Sequence, residues 1–214
     1  MALFRRQTLS LLRTSLFVVY AQLMVVSSAY AQQLPGTENG EWRYLGGDAG
    51  NTRFSALDQI NESNFAELEQ AWIWRSDNFG PNLDYFSRAT PIYVNETLYT
   101  VATPRRQVIA IDPRTGENLW TFREPETIRH QRSPRQAYGK GVAYAEVDGR
   151  GVIYITTPGF FLWALDAETG LPLENWGNAF PVGDYPKTGV VDLVPQLVKD
   201  WQPWQDYLVS GGAY

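Results

Sequence analysis

The chain has 214 residues, a formal net charge of −5 and no cysteine. The acidic balance argues against nucleic acid as a partner, and the missing cysteine excludes disulfide frameworks, thiolate metal sites and a lipid-acceptor residue. With 44% hydrophobic and 14% aromatic residues, the folded part should be held by a core rich in rings.

Residues 1–31 read as a cleavable export signal. Arg5, Arg6 and Arg13 make a positive start, Leu16–Val26 is apolar apart from Gln22, and Ala29-Tyr30-Ala31 is a small-x-small cleavage pattern. A membrane-spanning helix needs about 20 apolar residues, so cleavage near Ala31 and a periplasmic or secreted protein without a stable membrane span are expected. Its loss removes three arginines and no acid, which takes the net charge from −5 to −8. Residues 32–75 form a lead-in. It ends in Leu68–Arg75 (LEQAWIWR), which reads as the outer strand of a blade whose inner strands do not precede it and whose place is to close a ring.

Residues 76–214 read as repeats. Thr90–Val94, Thr97–Ala102, Gln107–Asp112 and Asn118–Phe122 are short runs rich in β-branched and aromatic residues. Breaks at Asn95-Glu96, Thr103-Pro104 and Asp112–Gly116 separate them, and the last break carries an Asp for the turn and a Gly for positive φ. The phrase around it then recurs. Pro104, Ala110, Asp112, Thr115 and Gly116 match Pro158, Ala164, Asp166, Thr169 and Gly170 at a spacing of 54, while Tyr99 matches Tyr154 at 55 and Trp120 matches Trp176 at 56. Four antiparallel strands per repeat of this length predict an all-β chain of the β-propeller class, with one interface tryptophan on each outer strand. A β-sandwich is the competing architecture, disfavoured by the regular period. Propellers close with about four to eight blades. Residues 32–214 contain about two blades plus the closing strand, so the chain is expected to be the N-terminal part of a longer protein.

Between the repeats, Arg123–Lys140 is a basic stretch that reads either as a cationic loop near the channel or as a solvated loop. His130 within it is expected to be a solvated loop residue without a role. Asp112 and Asp166 are turn residues rather than a catalytic pair, since each holds the same place in its own repeat. Asn178–Asp206, with Trp201-Gln202-Pro203-Trp204, departs from the repeat and would shape an entrance or cover a blade edge. Asn95-Glu96-Thr97 and Asn61-Glu62-Ser63 match a glycan acceptor pattern but read more simply as turns.

The ordered series GEWRYLGGDAGNTRFSALDQIN (Gly40–Asn61), ATPIYVNETLYTVATPRRQVIAIDPRTGENLW, GKGVAYAE and ALDAETG resembles the N-terminal region of pyrroloquinoline-quinone (PQQ)-dependent dehydrogenases of the glucose, alcohol and methanol type. The resemblance covers nearly all of Gly40–Gly170. It implies an eight-bladed propeller with the quinone on its axis and a calcium ion beside it, an alcohol or sugar hydroxyl as substrate, and a respiratory electron acceptor, cytochrome c or quinone. A cation at the start of an x-Gly-(Leu/Val)-Ala-Tyr motif faces the cofactor in that family, and Lys140 stands there instead of arginine. An acidic residue opens the first blade in the methanol-oxidising branch, and Arg88 stands at that position. That branch also carries adjacent cysteines, which this chain lacks. The resemblance places the catalytic aspartate and the calcium ligands beyond residue 214. Lys140 and Arg88 are therefore the candidate cofactor-binding residues, each with a solvated surface residue as its alternative. A non-catalytic propeller scaffold and an inactive truncated remnant are the competing functions.

Overall fold

The computed structural model describes residues 35–80, 88–103, 105–133, 141–178 and 188–197. Pro35 apart, they belong to a single unit, Gly36–Tyr214. The predicted signal at 1–31, Lys140 and the Trp201–Trp204 cluster lie outside these residues.

Two four-stranded antiparallel sheets follow one another along the chain. The first contains β1 (Ile92–Val94), β2 (Thr97–Ala102), β3 (Gln107–Ile111) and β4 (Asn118–Phe122) in sequence order. The second contains β5 (Ala143–Val147), β6 (Arg150–Thr156), β7 (Phe161–Asp166) and β8 (Val190–Asp192) in the same order. These are successive blades of a β-propeller. Each opens with a two-residue hairpin whose central residues both have positive φ, Asn95 and Glu96 in one, Asp148 and Gly149 in the other. That geometry matches the twist of the flanking strands.

The turn before each outer strand is built as its sequence requires. Asp112 Oδ1 accepts from the Arg114 amide at 2.8 Å, and Asp166 Oδ1 accepts from the Thr169 amide at 2.8 Å and the Thr169 hydroxyl at 2.7 Å. Gly116 and Gly170 close the two turns at φ 77° and 71°. These bonds to the charged form hold both aspartates below the ordinary carboxylate range, for Asp112 through the Arg114 amide first and for Asp166 against the opposing effect of burial.

The repeat's tyrosine, alanine and tryptophan form one row across the first blade. Tyr99 lies opposite Ala110, and Ala110 lies opposite Trp120. A methyl in the middle lets the flanking rings meet over it, with centroids 5.8 Å apart. Trp120 Nε1 and the Tyr99 hydroxyl then both donate to the carbonyl of Ala167 in the next blade, each at 3.0 Å. Gly170 lets the Trp120 ring in, since a Cβ there would stand 2.4 Å from Cε3.

The core follows from this stacking. Val108 and Ala110 face the second blade in a cluster with Phe122, Phe161, Trp163 and Leu165, whereas Ile109 and Ile111 face Trp74 and Phe79. With both faces covered, β3 is buried along its whole length and reads as a continuous apolar run.

Three expectations are revised. Leu68–Arg75 forms no strand, because no ladder partner runs beside it among the described residues. It repeats one contact of an outer strand: Trp72 Nε1 donates to the Pro113 carbonyl at 2.9 Å and its ring lies on Gly116, as Trp120 does on Ala167 and Gly170. Trp176 is not on an outer strand. That strand begins at Pro172, opposite Leu165, breaks, and resumes at β8 opposite Trp163. Trp176 lies in the interruption, yet its ring reaches Tyr154 at 5.7 Å, close to the Tyr99–Trp120 separation. His130 is buried on the short helix α1 (Ile128–Gln131) rather than solvated. Burial first, then the Arg105 charge, lowers its pKa.

Candidate functional site

In an up-and-down sheet the start of the first strand, the turn between the second and third, and the exit of the fourth lie at one end. Arg88-Ala89-Thr90 leads into β1 and Gly141-Val142 leads into β5 at this end. These two leading segments touch: a Cβ on Gly141 would stand 3.1 Å from the Thr90 carbonyl oxygen. Gly141 has φ 109°, a conformation that favours glycine, so the close approach and the backbone both call for this residue. The segment carrying Arg88 and the residue Gly141 are thus brought together at one end of adjacent blades.

The lead-in supplies the other wall. Trp42 pairs with Tyr93 through amide–carbonyl bonds of 2.8 and 2.9 Å, adding a bridge to the free edge of β1. The Glu41 carboxylate accepts from the Asn95 amide at 3.0 Å, and Arg43 lies 5.7 Å over the Tyr144 ring of the second blade. Anchored in this way, Trp42, Leu45 and Arg53 form a cleft of about 480 Å³ with Arg88 and Thr90. Two arginines, a tryptophan, a leucine and a threonine line it, residue types that suit an anionic, flat ligand. Arg53 and Trp42 were not distinguished by their sequence, because their contribution depends on the lead-in folding back on β1. Their presence in the Gly40–Asn61 motif was the available signal.

In the described part of the basic stretch, residues 123–133, Arg123 and Arg132 are exposed, and Arg129 departs from both sequence readings. Arg129 is buried and grips Asp192 with two bonds of 2.8 Å, its guanidinium 4.1 Å from the Phe161 ring. It ties α1 to the resumed outer strand of the second blade and is a structural cation. Thr127 caps α1, its hydroxyl accepting from the His130 amide at 3.2 Å. Among the described residues no group of three or more His, Asp or Glu is placed to hold a metal ion, and no helix is long and apolar enough to cross a membrane.

Residues 42–210 match the family of PQQ enzymes described as the glucose/ethanol/alcohol dehydrogenase β-propeller domain. The quinate/shikimate dehydrogenase (quinone) of Acinetobacter baylyi is 36% identical over 88 residues, covering 40% of this chain and 11% of that protein. The glycerol dehydrogenase large subunit of Gluconobacter thailandicus is 30% identical over 182 residues, covering 80% of this chain and 24% of that protein. Among solved structures, the quinohemoprotein alcohol dehydrogenase of Comamonas testosteroni superposes with a TM-score of 0.50 at 31% identity, covering 61% of this chain and 18% of that one. The chain thus spans less than a quarter of the length of these relatives. The match over most of the chain agrees with the blades and their repeated tryptophan contacts, and the chain belongs to the PQQ-dependent dehydrogenase β-propeller family.

Proposed function

We propose that this chain is the N-terminal part of an exported PQQ-dependent dehydrogenase that oxidises an alcohol or sugar hydroxyl. Its division would be a signal at 1–31, a lead-in and ring-closing segment at 32–75, and propeller repeats from 76 onward. The cleft between the lead-in and β1 supports this reading, since Arg88 and Arg53 both line it and Thr90, which also lines it, lies against Gly141 before β5.

A tricarboxylate quinone fits that chemistry. Arg88 would hold a carboxylate by a charge-assisted bond, and Lys140, one residue before Gly141, would add a second positive charge as a point cation. Trp42 would present a flat apolar wall that limits water beside the ligand. When bound, the quinone supplies the two-electron acceptor, while the protein orients it and neutralises its charge. Calcium beside it, a catalytic aspartate beyond residue 214, and a respiratory acceptor, cytochrome c or a quinone, complete the proposal. The name of the Acinetobacter relative supports an acceptor of the quinone kind.

The test is to express the full reading frame at this locus and titrate it with PQQ and calcium while dye reduction by a panel of alcohols and sugars is followed. Activity requiring both additions is the expected result. R88A and K140A should each weaken quinone binding about tenfold, the equivalent of roughly 1.4 kcal/mol. Saturable quinone binding unchanged in both variants would remove these residues from the site, and absence of any binding would remove the function.

A further inference from the structure

At the junction of the blades, Glu124 follows the exit of β4 and is only 5% exposed. Its Oε2 accepts from Trp163 Nε1 at 2.8 Å and contacts the Thr157 hydroxyl, so two groups of the second blade converge on one oxygen. The other oxygen, Oε1, is buried without a hydrogen-bond partner among the described residues. It points at Gly159, where a Cβ would stand 2.8 Å away. A carboxylate in this slot would leave one half of its charge unsolvated.

The surrounding cations have partners of their own, Arg106 of the β2–β3 turn donating to the Thr156 carbonyl at 3.0 Å, although the Arg129 and Arg105 charges still act on Glu124. From the β2–β3 turn, Arg105 donates to the main-chain carbonyl of Glu124 at 3.3 Å and reaches Glu126 at 3.5 Å. From α1 come Arg129, which is paired with Asp192 of β8, and the buried His130. The β6–β7 turn, Thr157–Phe160, contributes no titratable side chain. The Thr157 hydroxyl also lies 3.4 Å from the Phe161 carbonyl, so a neutral Glu124 can donate to Thr157 while Thr157 donates onward to Phe161. An ionised Glu124 instead requires the Thr157 proton for itself.

We propose that Glu124 is a proton-operated latch between the blades, neutral when seated against Thr157 and Trp163 and released from that slot on ionisation. Releasing it loosens the connection 123–133 from the second blade, at the end of the blades that carries Arg88. The inference is independent of the quinone reading. Burial first pushes the Glu124 carboxyl up to about 7, partly opposed by the bonds from Thr157 and Trp163 and by the Arg129 and Arg105 charges. The folded chain therefore binds this proton more tightly than the unfolded one. The stabilisation is complete below the ordinary value of 4.5, falls as pH rises, and is gone above about 7.

Infrared spectra of the whole chain, labelled with 13C at the glutamate side-chain carboxyls, read the proton directly. A carbonyl stretch of a protonated glutamate should persist at about pH 6, where exposed glutamates are ionised, and disappear with a midpoint near 7. It should be missing from E124Q, whose denaturation midpoint should also lose the decline seen in the wild type across this window. T157V, which removes a bond favouring the ionised form, should move the infrared midpoint upward and serves if E124Q does not fold. Identical wild-type and E124Q spectra at about pH 6 overturn the latch, as does a T157V midpoint equal to the wild type.

Discussion

Gly170 and Gly149 separate two effects that the sequence alone merges. Both have positive φ, 71° and 76°, but an added Cβ at Gly170 would enter the Trp120 ring whereas at Gly149 it would meet nothing within 4 Å. G149A should therefore lose only about 1 kcal/mol for the backbone conformation. G170A should lose about 3 kcal/mol or more, since the ring must also leave its seat. Urea denaturation of the two variants checks the difference. W120F tests the same contact from the other side. It keeps most of the packing but leaves the Ala167 carbonyl with the Tyr99 hydroxyl alone, and should cost about 1 kcal/mol.

At the level of elements, the Arg129–Asp192 pair joins α1 to β8 across an interruption in the outer strand. Arg129 is 4% exposed as a side chain and Asp192 18%, so removing one partner strands the other in a poorly solvated place. D192N or R129M should destabilise by about 3 kcal/mol, and added salt should change the wild-type pair little because solvent screens it weakly. Protection of the β7–β8 amides from hydrogen exchange should fall in both variants, while that of β2–β3 should not. Equal loss in both sheets would mean that the blades unfold as one unit rather than through β8.

For the whole molecule, the strand β3 of blade one is covered on both faces. One face of β3 meets the second blade and the other meets Trp74 and Phe79. The lead-in beyond those rings exposes Phe54, Ile60, Phe65 and Ile73, each at least 60% accessible, and an open cleft of about 350 Å³ lies between Trp72, Trp74 and the face of β2. Exposed apolar surface of this kind is what a neighbouring blade covers in a propeller. A longer polypeptide carrying additional repeats should accordingly be more soluble than this chain at equal concentration, as measured by light scattering.

Much of the architecture was legible because it is local. Strand alternation, Asn95-Glu96 as a two-residue turn, and the Asp-to-Gly turns at 112–116 and 166–170 depend on conformational preferences within a few residues, and β2 and β4 fall at their expected limits. The repeat itself named the propeller, since a blade cannot bury both faces without neighbours. Tertiary structure alone decided where the exceptions went. Pro172 and Val190 share one broken outer strand because both find hydrogen-bonding partners on β7 across a detour in the chain. His130 and Arg129 are buried because α1 packs on the second blade, although their composition suggested a solvated loop. Arg53 joins Arg88 because Trp42 pairs with Tyr93. Glu124 looked like an ordinary acid in a basic stretch. Its environment is made by Thr157 and Trp163, more than thirty residues away, and such a contact leaves no periodicity in the sequence because desolvation depends on what the fold brings near.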